Sequence, residues 1–144
     1  TVVQAYFNDN SKGIDSYIGK IYNNKPQAYL RTMDDDAGTM SSWFVMRSIG
    51  LSPANIGSPI YYLTAPIFET VKLNWENGKS FNIEVRNYNR DQIYIQSALL
   101  NGQPLCRNWL TQEEITNGGS LIIETAPLPN KKWGVEDLWI SKSE

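Results

Sequence analysis

Apolar residues in the first part of the chain recur at the spacing of one helix face. They occupy positions i, i+3, i+4, i+7 and i+8 of that face: Ile14, Tyr17, Ile18, Ile21 and Tyr22. Asn10 or Ser11 can cap the start of this helix, and Asn23-Asn24 before Pro26 ends it. The pattern therefore predicts a helix between residues 10 and 24.

A second apolar set predicts another helix further along the chain. Met40, Trp43, Phe44 and Ile49 share one face, and Gly50 is a typical residue at which a helix ends. The segment is apolar nearly all round, which is typical of a helix inside a large core. We expect this second helix to be deeply buried, against partners outside these residues.

From residue 51 onward the spacing of the apolar residues changes from that of a helix face to the alternation of a strand. The segment "IFETVKLNW" alternates at Val71, Leu73 and Trp75, an Asn77-Gly78 turn follows, and "SFNIEVR" alternates again, which predicts a hairpin. We also expect strands at "IYYLT", "IYIQSALL" and "SLIIET". Thr111 and Glu114 form the pattern of a capping box, so "TQEEITNGG" predicts a short helix.

The order of elements, helices first and strands afterwards, indicates an α+β fold. We predict that residues 1–50 form a helical segment and residues 51–144 an antiparallel β region resembling a small sandwich. The 144 residues fit one domain, or a helical piece joined to one small domain. The chain starts at Thr1 and shows no signal peptide, so we expect a processed or truncated product.

The composition excludes several functions and chemistries. With 13 basic and 15 acidic residues, the net charge of −2 does not suggest a nucleic-acid partner. No apolar run approaches the ~20 residues that span a membrane. The chain has no histidine and a single cysteine, Cys106, which excludes a Ser-His-Asp triad, a Cys-His pair and a His-ligated zinc site. Acid–base chemistry would fall to carboxylates, lysine or tyrosine.

Three consecutive aspartates immediately precede the second predicted helix, in "TMDDDAGTMSSWF". An aspartate at a helix start accepts hydrogen bonds from free backbone N–H groups, but three adjacent carboxylates repel one another and cannot all act as caps. In an extended segment Asp34 and Asp36 would share one side, with Asp35 on the other. Such a pair could share a proton, hold a water molecule or bind a hard cation. The residues alone leave capping and catalysis open.

The longer string "DDDAGTMSSWFVMRSIGLSP…GSPIYYLTAPIFETVKL" resembles the C-terminal region of the glycoside hydrolase family 92 α-mannosidases. The family pattern is carried here by ten residues: Asp35, Asp36, Gly38, Met40, Ser41, Trp43, Gly50, Pro53, Gly57 and Pro66. The later "YIQSALLNGQPLCRNWLT", "GGSLIIE" and "PNKKWG" also resemble the closing β segment of the family. The resemblance covers residues 14–134.

The resemblance implies a calcium-dependent, inverting, exo-acting enzyme that removes terminal α-linked mannose, for example α-1,2-linked, from mannan or N-glycans. It implies that residues 1–50 end an α/α barrel and that Asp36 is the general base with Asp34 as its partner. The general acid would be a glutamate upstream of these residues, so the fragment alone is expected to be inactive. Calcium ligands are not assignable here. The resemblance further implies a bacterial protein of the periplasm or the extracellular space.

Two other functions compete with this interpretation. Aromatic residues make up 12% of the chain, which is typical of a well-filled β core but would also suit a non-catalytic carbohydrate-binding or accessory β-module. A structural domain without a ligand is the third possibility, and the acidic cluster argues against it.

Overall fold

The computed structural model describes residues 37–55 and 57–139. The first predicted helix, at residues 10–24, and the three aspartates lie outside these residues. The chain divides into two compact units, Thr1–Phe44 and Val45–Glu144. The predicted division at residue 50 stays a prediction.

The second predicted helix is confirmed as α1 (Thr39–Ser48). Gly50 follows it at φ +88°, a left-handed conformation that glycine adopts without strain, and its N–H bonds the Arg47 carbonyl at 3.1 Å. Within this chain Ser48 is the one buried residue of α1, and Val45 is 55% exposed. Deep burial of α1 against partners outside these residues stays a prediction. Met46, near the end of the helix, and Ile49, just after it, pack against the main apolar cluster.

Two sheets form the β region, and their strands are β1 (Leu51–Pro53), β2 (Ile60–Leu63), β3 (Thr70–Asn74), β4 (Ser80–Arg86), β5 (Tyr94–Leu100), β6 (Gln103–Pro104), β7 (Trp109–Thr111) and β8 (Gly119–Ala126). One sheet has the order β1-β2-β7 and the other β3-β4-β8-β5-β6. The predicted hairpin is confirmed as β3–β4, in which Val71 pairs with Ile83 and Leu73 with Phe81.

The prediction of a purely antiparallel region was wrong at one pair, because β4 and β8 run parallel. A parallel pair needs a long crossover connection, which residues 87–118 provide. Strand β8 inserts between β4 and β5, which are neighbours along the chain. Alternation indicates which face of a strand is buried, but it does not indicate which strand lies beside it.

Both sheets share one apolar core. Leu51, Leu63 and Leu110 come from the three-stranded sheet, whereas Phe81, Ile83, Ala98, Leu121 and Ile123 come from the five-stranded sheet. Alternation along β4 buries Phe81, Ile83 and Val85, as the sequence predicts. The architecture is therefore a small mixed α+β fold that consists mostly of β sheet.

A short helix, α2 (Gln112–Thr116), follows β7 and carries the predicted capping box. The Thr111 hydroxyl accepts a hydrogen bond from the Glu114 N–H at 3.1 Å, and the Thr111 N–H donates to the Glu114 carboxylate at 2.9 Å. Ile115 of this helix is buried in the shared core. Among the described helices, none has the length and apolar character needed to cross a membrane.

Candidate functional site

The acidic motif ends one residue before the first described residue of the chain, Ala37. Asp34 and Asp36, the predicted base pair, lie outside the described residues, and so does Asp35. The chain enters α1 through Ala37 and Gly38, at φ +58° and +91°. Two successive left-handed residues turn the backbone sharply between the aspartates and the helix.

The backbone shows which residue occupies the helix cap. The N–H of Ser42 donates to the Gly38 carbonyl at 2.9 Å, and this bond makes Gly38 the N-cap residue of α1. Glycine has no side chain that could accept a capping hydrogen bond. Asp36 stands two positions before the cap, and the first turn of α1 contains no acidic residue. Capping at the N-cap position of α1 therefore does not explain the three aspartates.

The other end of α1 is attached to the loop that follows β2. The Ser48 carbonyl accepts from the Ile67 N–H at 3.0 Å, and the Gly50 carbonyl accepts from the Thr64 N–H at 3.0 Å. A Cβ atom at Gly50 would lie 2.8 Å from the Thr64 carbonyl oxygen and 2.7 Å from Pro66 Cγ. Glycine is therefore required at this helix end by conformation and by space.

The carboxylates in and beside the strands lie on solvated faces. Glu69, Glu76, Glu84 and Glu124 are all exposed. Glu124 accepts a hydrogen bond from the Ser97 hydroxyl at 2.8 Å and lies 3.8 Å from Arg86. Exposed pairs of this kind contribute little to stability and carry no catalytic signature.

The environment of Glu114 shifts the pKa of its carboxyl group. Burial, the largest single influence, would raise the pKa of Glu114, but three hydrogen bonds and a nearby charge outweigh it. The bonds come from the Thr111 N–H, the Arg107 guanidinium and the Thr111 hydroxyl, and Arg107 supplies the charge, so the pKa of Glu114 is lowered. These partners hold the carboxylate in its capping role.

Sequence reasoning found the Thr111–Glu114 capping box but missed the third member of this cluster. Arg107 bonds Glu114 and stacks over the Trp109 ring, with Cζ 4.0 Å from the ring centroid. The arginine lies seven residues before the glutamate and outside the helix, so no helical spacing indicates the pair. The cluster is structural.

Tryptophans in the β region act as packing groups. Each of three indole N–H groups donates to a backbone carbonyl: Trp75 to Ile115, Trp109 to Asp137 and Trp133 to Leu105, at 3.2, 2.6 and 2.8 Å. Trp139 packs edge-on against Trp109, with ring centroids 5.6 Å apart, and is 42% exposed. These contacts fasten the segment after β8 to the rest of the fold.

Two of the cavities on the β region are lined by described residues. The larger, of about 370 Å³, is lined by Leu100, Gln103, Pro104, Leu105, Cys106, Arg107, Glu136 and Asp137. The smaller, of about 220 Å³, is lined in part by Thr64 and Asn108, whose Oγ1 and Oδ1 atoms are buried without a hydrogen-bond partner. Both atoms are shielded from solvent, so a molecule in this cavity would not reach them.

The described part of the chain contains no set of side chains that could bind a metal ion. Within residues 37–55 and 57–139, no three of the Asp, Glu, Cys and His side chains gather where they could hold an ion. Asp34, Asp35 and Asp36 stand outside that range. The described residues therefore do not fit a calcium site, and the predicted ion stays a prediction.

Residues 8–127 match the catalytic domain of glycosyl hydrolase family 92. The match spans most of the chain, so the chain belongs to this family, and the resemblance seen in the sequence is confirmed. Among solved structures, it is similar to the family GH92 inverting mannosidase BT2199 of Bacteroides thetaiotaomicron VPI-5482, at 34% identity and a TM-score of 0.69 over 87% of this chain and 17% of that one. The GH92 α-mannosidase BT3965 of Bacteroides thetaiotaomicron is 29% identical, with a TM-score of 0.72 over 88% of this chain and 17% of that one.

A curated relative is also named as a glycosidase. An uncharacterized secreted glycosidase of Arthroderma benhamiae is 33% identical over 139 residues, which are 93% of this chain and 15% of the relative. The chain thus spans about a sixth of the length of the relatives that it matches.

Proposed function

We propose that these residues act as part of a longer exo-acting α-mannosidase, which hydrolyses terminal α-mannosides, α-1,2-linked ones among them, with inversion. Membership of family 92 and the two mannosidase relatives support this function, and one of those relatives has been crystallised with mannoimidazole. The chain would form the C-terminal part of the enzyme. A secreted glycosidase among the relatives supports a place outside the cytoplasm, either periplasmic or extracellular.

In this proposal Asp36 is the general base and Asp34 orients it. Asp36 takes a proton from water as the water oxygen bonds to the anomeric carbon, and the glycosidic bond on the opposite face breaks. A glutamate outside these 144 residues gives its proton to the leaving oxygen. The observation that carries the assignment is the match of residues 8–127, which include the acidic motif, to the family 92 catalytic domain, because the resemblance to that family implies a base at Asp36. Gly38 at the N-cap of α1 supports it, since no aspartate occupies that position.

Calcium is proposed as the cofactor of the whole enzyme, bound by groups outside the described residues. In the family to which the chain belongs, such an ion would hold the hydroxyl groups of the terminal mannose. The partners of the chain are then α-mannosides and the remainder of its own polypeptide. Because the general acid is not among these residues, the isolated chain should release no mannose.

The experiment that tests the proposal compares two neighbouring aspartates in the whole enzyme. Release of mannose from α-1,2-mannobiose is measured for wild type, Asp36→Asn and the matched control Asp35→Asn, with and without a calcium chelator. Loss of the base should lower kcat by about 10²–10⁴-fold. The control removes the same charge one position away and should retain most of the rate. Proton NMR of the first product should show β-mannose, as inversion requires.

Equal losses in the two variants would show that the triplet acts through its charge, and the base assignment would be wrong. An active enzyme that releases α-mannose first would refute inversion. An enzyme that binds mannan but cleaves no mannoside would instead support the carbohydrate-binding module, the second function that the sequence left open.

A further inference from the structure

The smaller cavity of the β region, of about 220 Å³, is lined by neutral side chains. We call it the neutral cavity, and five of its lining residues carry aromatic rings or polar groups: Thr64, Tyr94, Asn108, Asn130 and Trp133. The larger cavity differs, because Arg107, Glu136 and Asp137 bring charges to it. A neutral wall has no charge to pair with an ion, so a ligand that fits the neutral cavity is itself uncharged.

Several parts of the fold meet at the neutral cavity. The residues after β2, the start of β5, the residue before β7 and the segment after β8 all contribute to its wall. The Leu63 N–H donates to the Asn108 carbonyl at 2.8 Å, so the wall is joined between β2 and β7. A Cβ atom at Gly134 would lie 2.9 Å from Asn108 Cβ, so the segment after β8 packs directly on Asn108. The cavity is therefore formed by tertiary packing and not by a single loop.

Hydrogen bonds hold the ring and the amide that the segment after β8 contributes. The Trp133 indole N–H donates to the Leu105 carbonyl at 2.8 Å, and its ring packs against the main apolar cluster. Asn130 Nδ2 donates to the Gln96 carbonyl at 2.9 Å, and Asn130 Oδ1 accepts from the Lys132 N–H at 2.9 Å. Both side chains are held in place before any ligand arrives, which lowers the entropy that binding would cost.

The amide of Asn108 has no hydrogen bond that would explain its presence in the fold. Its Oδ1 atom is buried behind the wall without a partner, and its Nδ2 atom has none among the described residues. The hydroxyl of the neighbouring Thr64 is also buried and unpartnered. Unpartnered buried polar groups lower stability, so stability does not account for a polar residue at position 108. A ligand that accepts from Asn108 Nδ2 does account for it.

We propose that the neutral cavity binds one sugar ring of a neutral glycan, a mannose residue. A sugar ring has C–H groups on its face and hydroxyl groups around its edge. These groups match the aromatic rings of Tyr94 and Trp133 beside amide and hydroxyl groups that donate and accept. The volume of about 220 Å³ lies below the range of about 300–1,000 Å³ typical of drug-sized ligands, so it suits a single ring. Only the choice of mannose rests on the proposed function.

Other occupants match the same wall less well. A phosphate or a carboxylate would meet no cationic side chain among the lining residues. An apolar ligand would cover the amides of Asn108 and Asn130 and give them no hydrogen bond in return. Water fills a polar cavity when no other ligand is bound, so water alone is the alternative that the experiment must exclude.

Titration of the 144-residue chain with α-1,2-mannobiose, followed by proton–nitrogen NMR of the indole N–H groups, tests the proposal. The substitution Trp133→Phe assigns the signal of the ring in the cavity wall. Trp75 is the internal reference, because it does not line the cavity and donates to the Ile115 carbonyl. The Trp133 signal should shift and saturate, and the Trp75 signal should stay in place. The proposed function gives the isolated chain no general acid, so the sugar should remain intact.

Matched variants locate the sugar on the wall. Tyr94→Ala removes one ring, and Asn108→Ala removes the amide but keeps the Cβ atom on which Gly134 packs, so each should weaken binding by about tenfold. Phe68→Ala is the control, because Phe68 is a 48% exposed ring that does not line the cavity, and it should bind as wild type does. Asn108→Ala should also leave the urea midpoint no lower than that of wild type, because its amide has no partner.

Three results would overturn the proposal. A Trp133 signal that the sugar does not shift would show that the cavity holds only water. Equal affinities for Tyr94→Ala and Phe68→Ala would place the sugar elsewhere on the chain. A lower urea midpoint for Asn108→Ala would show that the amide serves the fold.

This inference and the proposed function can fail separately, because the titration needs no turnover. A chain that binds mannobiose, in a whole enzyme that releases no mannose, would contradict the proposed function and leave the site in place. A whole enzyme that releases mannose, with a chain that binds no mannobiose, would contradict the site and leave the proposed function in place.

Discussion

Substitution of Gly50, at the end of helix α1, tests why this fold requires a glycine there. Gly50 has φ +88°, and a Cβ atom there would lie 2.8 Å from the Thr64 carbonyl oxygen and 2.7 Å from Pro66 Cγ. Both distances are shorter than real Cβ contacts, so Gly50→Ala must displace backbone or a buried proline ring. The variant combines a conformational cost with a packing cost.

The two costs can be separated because the chain contains a glycine with the first and without the second. Gly78, in the β3–β4 turn, has φ +81° and nothing within 4 Å of an added Cβ. A left-handed alanine costs about 1–2 kcal/mol, which is the whole effect expected for Gly78→Ala. Overpacking adds about 1–3 kcal/mol, so Gly50→Ala should destabilise by about 2–5 kcal/mol.

Urea unfolding of the 144-residue chain, followed by tryptophan fluorescence, measures both variants. We expect both midpoints to fall, and the midpoint of Gly50→Ala to fall further. Equal losses would refute the packing argument, since the contacts with Thr64 and Pro66 would then contribute nothing. A Gly50→Ala midpoint equal to that of wild type would refute the left-handed helix end as well.

Two further stability predictions follow from burial and charge. Leu121 is fully buried, so Leu121→Ala should lower the free energy of unfolding of the isolated chain by about 2–5 kcal/mol in urea. The control Leu128→Ala, at a residue that is 74% exposed, should change this free energy by no more than about 0.5 kcal/mol. Similar losses of stability in the two variants would contradict the assigned core. The pKa of Glu114 is lowered in the folded state, so its ionic contribution is complete above its ordinary value of 4.5 and disappears as the pH falls through the folded value. The urea midpoints of wild type and Glu114→Gln should therefore differ above pH 4.5 and converge in more acidic solution, and a difference that is independent of pH would refute the ionic role.

Local features of this fold were predictable because their causes are local. Gly50 ends α1, Thr111 and Glu114 form the capping box, and the turn at Gly78 joins a hairpin, each within a few residues. Helix ends and turns depend on backbone conformation and short-range hydrogen bonds, which a single segment of sequence specifies.

Features that depend on distant partners were not predictable. Nothing in the alternation of β4 indicates that β8 lies beside it in parallel, since both strands bury one face in the same core. The apolar character of α1 correctly predicted a helix, but it did not predict that Val45 would be 55% exposed, because burial depends on which layers are present. The ion pair between Arg107 and Glu114 was not predictable for the same reason, because the fold brings the two residues together.

Substitutions at the aspartates and at the end of α1 should change different properties of the enzyme, namely the reaction rate and the stability of the fold. The loop after β2 bonds the end of α1 at Ser48 and Gly50, so changes there act on the stability of the fold. A change at Asp36 would act on the reaction and leave the core untouched. In the whole enzyme, therefore, Asp36→Asn should lower the rate per folded molecule at an unchanged urea midpoint. Gly50→Ala should lower the midpoint first, and loss of activity should follow only as the folded fraction falls.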